Sequence, residues 1–314
     1  MAQLWIRKYS LTIQVNGRMI DVSELQFKFT TTASTVGTPY RTLQCRIYNP
    51  APDTIRTIVN EGTVVSLAAG YEGQYGLIFS GDIVQVRRGR EDAVTTYLDL
   101  SATDGDTIYN QSVVNTTLAA GSNALSRIGA LGKSGGFKVN QVLANTKDTE
   151  TAARGRVYFG MARDHLRQTA ASIGSTYVIT DGQVQILAQN ATLPGQVTEV
   201  SSKTGLIGMP QQILDGLQLK VLLNPNLYRG SAIHVTSDGI QQYQNDLSIS
   251  GNAINPQLIP LAVDGYYQVL WVKHKGDTRG TSQDDWSTEL VCSINGQITA
   301  SGGQGQYIDH PLNH

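Results

Sequence analysis

The residues whose types could support catalysis are five histidines, two cysteines and one short acidic turn. His165 follows Asp164 on a predicted helix, where a carboxylate beside an imidazole could relay a proton. Adjacent residues on a helix point about 100° apart, so these two side chains do not share a site. His234 and His274 lie in predicted strands with no nucleophile or carboxylate motif beside them, and we expect both to be structural.

Sites for metals and phosphates are not supported either. The acidic turn at residues 104–106 resembles the start of a calcium loop, but it lacks the third acidic position and the terminal glutamate, so we expect a plain turn. Cys45 and Cys292 are too few for a metal cluster, and their apolar strand contexts predict buried free thiols. The glycine-rich runs at 132–136 and 302–305 neither join a strand to a helix nor carry a Walker lysine. We therefore predict no catalytic site, no cofactor, no metal and no enzyme activity.

Arginines at the end of the longest predicted strand are the best candidates for contacts between subunits. Arg87, Arg88 and Arg90 form a basic edge, and Glu91 and Asp92 follow at once. This order favours ion pairing between subunits over an anion site. The other residues that we assign to interfaces are aromatic or aliphatic: Tyr71, Tyr75, Tyr307, Ile308 and Leu312.

The composition argues against a nucleic-acid-binding protein and against a membrane anchor. The net charge is −1, whereas a nucleic-acid-binding protein would show a basic excess. Charged residues make up 16 % of the chain, which fits a surface that other subunits largely cover. No run approaches the roughly 18 apolar residues of a membrane span, and the first ten residues lack the apolar core of a secretory signal.

The elements that must position these residues are strands, and one group of strands occurs twice. Residues 43–103 contain an alternating run that ends in Asn-Pro, a short helical piece and three strands rich in β-branched residues. Residues 217–294 begin with a similar run that also ends in Asn-Pro, and they continue with strands of the same kind. The segments 84–89 and 269–276 hold the same place in the two copies. The sequence therefore predicts a duplicated antiparallel β unit.

Glycine turns and helical periodicity define the rest of the chain. Asn-Gly at residues 16–17 predicts a hairpin whose second arm is 19–30, and residues 30–40 form a polar link that we expect to project from the sheet. Between the two units, apolar residues at helical spacing predict helices at 123–131 and 161–173, and Asp-Gly at 181–182 predicts a second hairpin.

These patterns predict a mainly β (α+β) fold with two antiparallel β units, each a small barrel or sandwich, and an inserted helix-plus-hairpin module. The length and composition of the 237–260 loop predict that it is functional or mobile. The predicted domains are a first β unit (1–104), the inserted mixed α/β module (105–200), a second β unit (201–298) and a glycine-rich C-terminal tail (299–314).

Five short runs carry a family resemblance: 62–71, 78–83 and 98–104 in the first unit, and 208–212 and 217–225 in the second. Through them most of residues 1–298 resemble the baseplate hub proteins of tailed phages, which are related to the hub of type VI secretion. The resemblance implies that the two units are tube-protein-like antiparallel β-barrels. It also implies a homotrimeric ring of pseudo-sixfold symmetry that joins a hexameric tail tube to a central spike. It also implies other baseplate proteins as partners, a lumen through which DNA passes without specific binding, and a place in the virion after synthesis in the host cytoplasm.

A carbohydrate-binding or adhesin-like β protein of the tail tip is the alternative. Such a protein would expose aromatic side chains in a groove, whereas Trp5, Trp271 and Trp286 are scattered along the chain. Trp271 and Trp286 fall in predicted strands of the second unit, which favours core or interface positions. A trimeric mass would favour the hub, and a monomer that binds sugar would favour the adhesin.

Overall fold

The computed structural model describes residues 6–35, 37–140, 151–188, 192–193, 195–213, 216–235 and 265–294. Within these residues the chain is mainly β with three α-helices, which confirms the predicted mainly β, α+β class. No helix in this part of the chain is long and apolar enough to cross a membrane. The 237–260 loop and the C-terminal tail lie outside the described residues.

Strands dominate both ends of the chain, and the helices lie mostly in the middle. The strands of the first part are β1 (Arg7–Val15), β2 (Arg18–Asp21), β3 (Phe27–Ser34), β4 (Thr42–Tyr48), β5 (Gly62–Tyr71), β6 (Gln74–Arg90) and β7 (Thr96–Thr103). Those of the middle are β8 (Val113–Leu118), β9 (Lys138–Asn140), β10 (Arg156–Met161), β11 (Ser175–Thr180) and β12 (Gln183–Ala188). Those of the last part are β13 (Thr198–Val200), β14 (Leu206–Ile213), β15 (Gly216–Leu222), β16 (Ala232–Val235), β17 (Gly265–Asp277) and β18 (Trp286–Ile294). The helices are α1 (Pro52–Glu61), α2 (Ala124–Gly135) and α3 (Ala162–Ala171), with a π-helical turn at Thr107–Gln111 and a 3-10 turn at Gln283–Asp285.

One thirteen-stranded sheet runs through the first and last parts of the chain. Its order is β14-β15-β18-β17-β3-β4-β7-β6-β5-β1-β2, with β16 beside β17 and β13 beside β16. Its pairs are antiparallel except β13 with β16, which is parallel. The middle of the chain forms a β10-β8 pair and a three-stranded β11-β12-β9 sheet.

The strands of the first part enclose one apolar core. Alternate side chains of β1 point into it, among them Leu11 and Ile13, which are fully buried. Full burial of an aliphatic side chain stabilises the fold by about 1.5–3 kcal/mol. Tyr9 on β1 meets Phe27 on β3 edge to face, with ring centroids 5.5 Å apart. Because β1 and β3 lie near opposite ends of this series of strands, the sheet curls around the core.

The chain after the first hairpin departs from the sequence-based expectation. The 16–17 turn is confirmed, but the predicted arm at 19–30 is interrupted, since β3 pairs with β4 and β17 instead of β1. The break follows from Asp21, whose carboxylate accepts a hydrogen bond from the backbone N–H of Ser23 (2.9 Å) and turns the chain. Residues 30–34 do not project as a polar link. They lie inside β3, where strands on both sides pair with them.

The middle of the chain contains the predicted helices and hairpin together with three strands that were not predicted. Asn123 caps α2 by accepting a hydrogen bond from the N–H of Ser126 (2.9 Å), and Gly136 ends it in the left-handed region at φ 74°. The 181–182 turn has positive φ at both residues, as a type I′ hairpin requires. Strand β9 has only three residues, and β8 and β10 are remote in sequence and lack the Asp-Gly turn that marks β11 and β12.

A buried carboxylate fixes this middle part to the first part. Asp104, 2 % exposed, accepts hydrogen bonds from the backbone N–H groups of Asp181 (2.9 Å) and Gly182 (3.0 Å) and from Nε of Arg41 (2.8 Å). The 104–106 segment is therefore a structural turn. Among the described residues there is no cluster of His, Cys, Asp and Glu side chains that could hold a metal.

A buried arginine from the last part contacts both other parts. Nη1 of Arg229 donates to the carbonyl of Ser34 (3.1 Å), and Nη2 donates to the carbonyl of Ile179 and to the hydroxyl of Thr180 (3.0 Å). Burial, assisted by the positive charge of Arg41, lowers the pKa of Arg229 to about 9. One guanidinium thus satisfies acceptors on β3 and on β11.

Candidate assembly surfaces

The two predicted copies have the same strand order. In the first, β4 pairs with β7, β7 with β6, and β6 with β5. In the second, β15 pairs with β18, β18 with β17, and β17 with β16. The register shift between Ile83 and Gln85 on β6 recurs between Val269 and Trp271 on β17. At the other edges, β3 flanks β4 as β14 flanks β15, whereas β1 is antiparallel to β5 and β13 is parallel to β16.

Charged pairs recur at equivalent positions on one face of the sheet. Arg46 on β4 lies opposite Asp99 on β7, with Nε 2.7 Å from Oδ1. Lys220 on β15 lies opposite Glu289 on β18, with Nζ 4.0 Å from Oε1, and Lys273 on β17 lies 3.5 Å from the same carboxylate. The hydrogen bonds that Arg46 donates to Asp99 raise the pKa of Arg46, so the guanidinium stays charged. Each unit therefore forms ion pairs on this face within the chain.

The two copies meet edge to edge within one chain. Residues 271–277 of β17 pair with residues 28–34 of β3 in antiparallel register, and we call this contact the internal joint. Lys28 and Asp277 form an ion pair across it at 3.3 Å. The sequence offered no signal for the joint, because β3 reads there as a run of threonines without apolar alternation.

The predicted basic edge lies on the C-terminal half of β6. Arg87, Arg88 and Arg90 are all exposed, and in the described part of the chain neither Arg87 nor Arg88 has an ion-pair partner within 4.0 Å. The two acids that follow are engaged locally. Glu91 lies 3.9 Å from Arg46, and Asp92 accepts hydrogen bonds from the Val94 and Thr95 backbone N–H groups. The arginines therefore remain available to another chain.

The other residues assigned to interfaces are in different surroundings. Tyr71 is buried in the core of the first part, so its side chain packs within its own chain. Tyr75, beyond the tight turn between β5 and β6, is 46 % exposed. Tyr307, Ile308 and Leu312 lie outside the described residues.

The three histidines within the described residues make structural contacts, and His310 and His314 lie outside that part of the chain. His165 Nε2 lies 3.2 Å from the Phe159 carbonyl, and the ring of His234 packs against Tyr266. His274 is buried, with Nδ1 2.9 Å from the hydroxyl of Thr288. Both cysteines are buried free thiols, as predicted.

We expect His274 to make the stability of the fold depend on pH. Burial, assisted by the positive charge of Arg41, lowers the pKa of His274 to about 4, whereas an unfolded histidine titrates near 6.5. Between these values the unfolded chain binds the proton more strongly, so stability is lost as the pH falls from about 6.5 to about 4. The loss is about 3 kcal/mol, measurable by urea denaturation across this range. His274→Gln should remove this part of the pH dependence, and an unchanged slope would contradict the assignment.

Comparison with known proteins finds solved structures with a similar fold. No protein-family model and no curated protein sequence matches this chain. A tail protein from Neisseria meningitidis MC58 is similar, with a TM-score of 0.57 and 13 % identity over 92 % of this chain and 97 % of that one. The 43 kDa tail protein of prophage MuSo2 from Shewanella oneidensis has a TM-score of 0.55 and 9 % identity over 92 % and 98 %.

A secretion protein is similar as well. The c3393 protein of E. coli is a component of the type VI secretion system with structural similarity to the T4 bacteriophage tail proteins gp27 and gp5. It has a TM-score of 0.54 and 8 % identity over 91 % of this chain and 77 % of that one. The chain therefore has the fold of phage tail and type VI secretion proteins.

Proposed function

We propose that this chain is a structural protein of a phage tail baseplate. As a hub, it forms a homotrimeric, pseudo-sixfold ring in the virion between the hexameric tail tube and the central spike, with other baseplate proteins around it. The observation that carries this proposal is the doubled strand unit, whose two copies share one strand order and meet at the internal joint. A chain with two similar units presents six similar faces once three chains close a ring.

The polar face of the sheet is suited to line the lumen of this ring. On β4 and β7 the polar side chains of Gln44 and Ser101 alternate with the buried Cys45 and Leu100. Arg46 pairs with Asp99 and Lys273 with Glu289 on the same face, whereas Arg87, opposite Asp99, has no ion-pair partner among the described residues. Contacts between such an arginine and phosphate groups carry no sequence information. DNA would therefore pass such a wall without specific binding.

The middle part of the chain is suited to lie outside the lumen. It attaches at the ends of strands: the Ile179 N–H donates to the Pro39 carbonyl (2.6 Å), and Tyr109 packs on Tyr40 with ring centroids 4.9 Å apart. These contacts, like those of Asp104, leave the polar face uncovered.

A structural role is favoured over an enzyme and over a sugar-binding adhesin. A cavity of about 360 Å³ between β3, β17 and the 181–182 hairpin contains Arg41, Arg229 and His274. Arg41 is already ion-paired and His274 is neutral in its buried position, so these groups form no acid–base pair. Trp271 and Trp286 are buried and present no open aromatic surface to a sugar.

Measuring the mass of the assembled chain tests this proposal. Light scattering on the protein mixed with tail tube protein should give three copies of the 33.9 kDa chain per complex. The mass of the chain alone is measured as well, because closure of the ring can depend on a partner. A monomer whose melting temperature rises with glycans and does not respond to tube protein would support the adhesin and overturn the hub.

A further inference from the structure

The cavity of about 360 Å³ lies where the three parts of the chain meet. β3 and β17 supply one wall, the 181–182 hairpin another, and the segment between β15 and β16 a third. Pockets that hold small organic molecules have volumes of about 300–1,000 Å³, so this cavity has room for a small ligand. Leu77 on its wall is 54 % exposed and Arg229 is 3 % exposed. The cavity therefore extends from the surface to a buried guanidinium.

The buried guanidinium has no carboxylate partner of its own. Arg229 donates hydrogen bonds to two carbonyls and a hydroxyl, and its Nε has no hydrogen-bond partner in the described part of the chain. The two acids whose charges act on it, Asp104 and Asp181, form their ion pairs with Arg41 instead. A charged donor buried without an acceptor is costly. An additional acceptor beside Nε would therefore stabilise the site.

The charges around the cavity favour an anion as that acceptor. Burial, assisted by the positive charge of Arg41, lowers the pKa of Arg229 and also that of His274. The carboxylates of Asp104 and Asp181 oppose this shift at Arg229 but do not cancel it. A bound negative charge favours the charged form of a buried base. A water molecule would supply an acceptor atom but no charge.

The remaining wall is suited to an apolar ligand body. Aliphatic side chains from β3, β6, β17 and the segments before β13 and β16 line it: Ala33, Leu77, Ile78, Val272, Leu193 and Leu227. An inorganic anion would leave this wall uncovered, whereas a hydrocarbon chain would pack on it. Burial of apolar surface adds to the affinity of such a ligand.

We propose that this cavity binds a small organic acid, whose carboxylate accepts a hydrogen bond from Nε of Arg229 and whose hydrocarbon part packs on the aliphatic wall. Every residue of the site belongs to one chain, so the inference does not rest on the proposed ring. The bound acid would contact all three parts of the chain and would stabilise their arrangement.

Isothermal titration calorimetry of the full-length chain at pH 7 tests the ligand class. The probes are hexanoate, hexanol and inorganic phosphate, at one ionic strength. Hexanoate should bind at one site per chain, and the other two should bind at least about tenfold more weakly. Hexanol keeps the hydrocarbon without the charge, and phosphate keeps the charge without the hydrocarbon.

Substitutions test the site itself. Arg229→Gln should weaken hexanoate binding at least about tenfold, because it removes the charged donor. Arg167→Gln, at an exposed arginine of α3, is the matched control, and its affinity should stay within about twofold of the unsubstituted chain. Ala33→Leu adds volume in the cavity without a change of charge and should also weaken binding at least about tenfold. It provides the test if Arg229→Gln does not fold.

A crystal of the unsubstituted chain soaked in 6-bromohexanoate locates the ligand without any substitution. The anomalous signal of bromine should lie against the aliphatic wall, with the carboxylate beside Nε of Arg229. No heat of binding from hexanoate, a bromine site elsewhere, or equal binding by hexanol would overturn the proposal. Equal binding by phosphate would show a site for inorganic anions and would overturn it as well. None of these results would bear on the proposed ring.

Discussion

Trp286→Ala is expected to lower the free energy of unfolding by about 3–5 kcal/mol. Trp286 begins β18 in the second unit, yet its ring is fully buried in the core of the first part. It packs edge to face on Phe29 at 5.4 Å, and its Nε1 donates to the Gly70 carbonyl (3.3 Å). The substitution therefore opens a cavity where the two units meet. Urea denaturation followed by circular dichroism measures the loss.

Trp286→Phe is the matched control for this substitution. It keeps an aromatic ring in the core and removes the hydrogen bond to Gly70, so a smaller loss of about 1–2 kcal/mol is expected. If both variants lost the same free energy of unfolding, the hydrogen bond to Gly70 would account for the loss, and packing of the ring between the units would not. A loss below about 1 kcal/mol for Trp286→Ala would mean that the units do not depend on this contact.

Asp104→Ala is expected to destabilise the chain by a similar amount, about 3–5 kcal/mol. The substitution removes one buried carboxylate and leaves Nε of Arg41 and the backbone N–H groups of Asp181 and Gly182 without their acceptor. The loss should be greatest where the hairpin contacts the first part. Hydrogen exchange of the amides in β11 and β12 would therefore accelerate more than exchange in β4 and β7.

The neighbouring acid gives the control for that measurement. Asp106 accepts one hydrogen bond, from the exposed side chain of Asn110 (2.7 Å), so Asp106→Ala should change stability by less than about 1 kcal/mol. If Asp104→Ala cost no more than Asp106→Ala, the buried carboxylate would not be the link between the two parts.

Local patterns in the sequence predicted most of the individual elements. The alternation of β4, β7 and β15 reflects strands with one buried face, and the Asn-Gly and Asp-Gly turns reflect residues that adopt positive φ at low cost. The recurrence of these patterns also predicted the shared strand order of the two units. The fold class could therefore be predicted from the sequence.

Contacts between distant segments could not be predicted in the same way. The joint of β17 with β3 is made by backbone groups, which every residue except proline carries, so the threonines at 30–32 gave no sign of it. Asp104 resembled part of a calcium loop because its partners, Arg41 and the 181–182 turn, are remote in sequence. The exposure of a side chain also depends on contacts between distant segments. Tyr71 and Tyr75 have similar surroundings in the sequence, but only Tyr75 is exposed.

The central claim is that the doubled unit builds a threefold ring with sixfold similarity. The most direct measurement is the electron density of this chain in assembled tails, where a partner required for closure is present. We predict three chains whose six units surround one lumen. Six chains, or three chains without internal sixfold similarity, would contradict it.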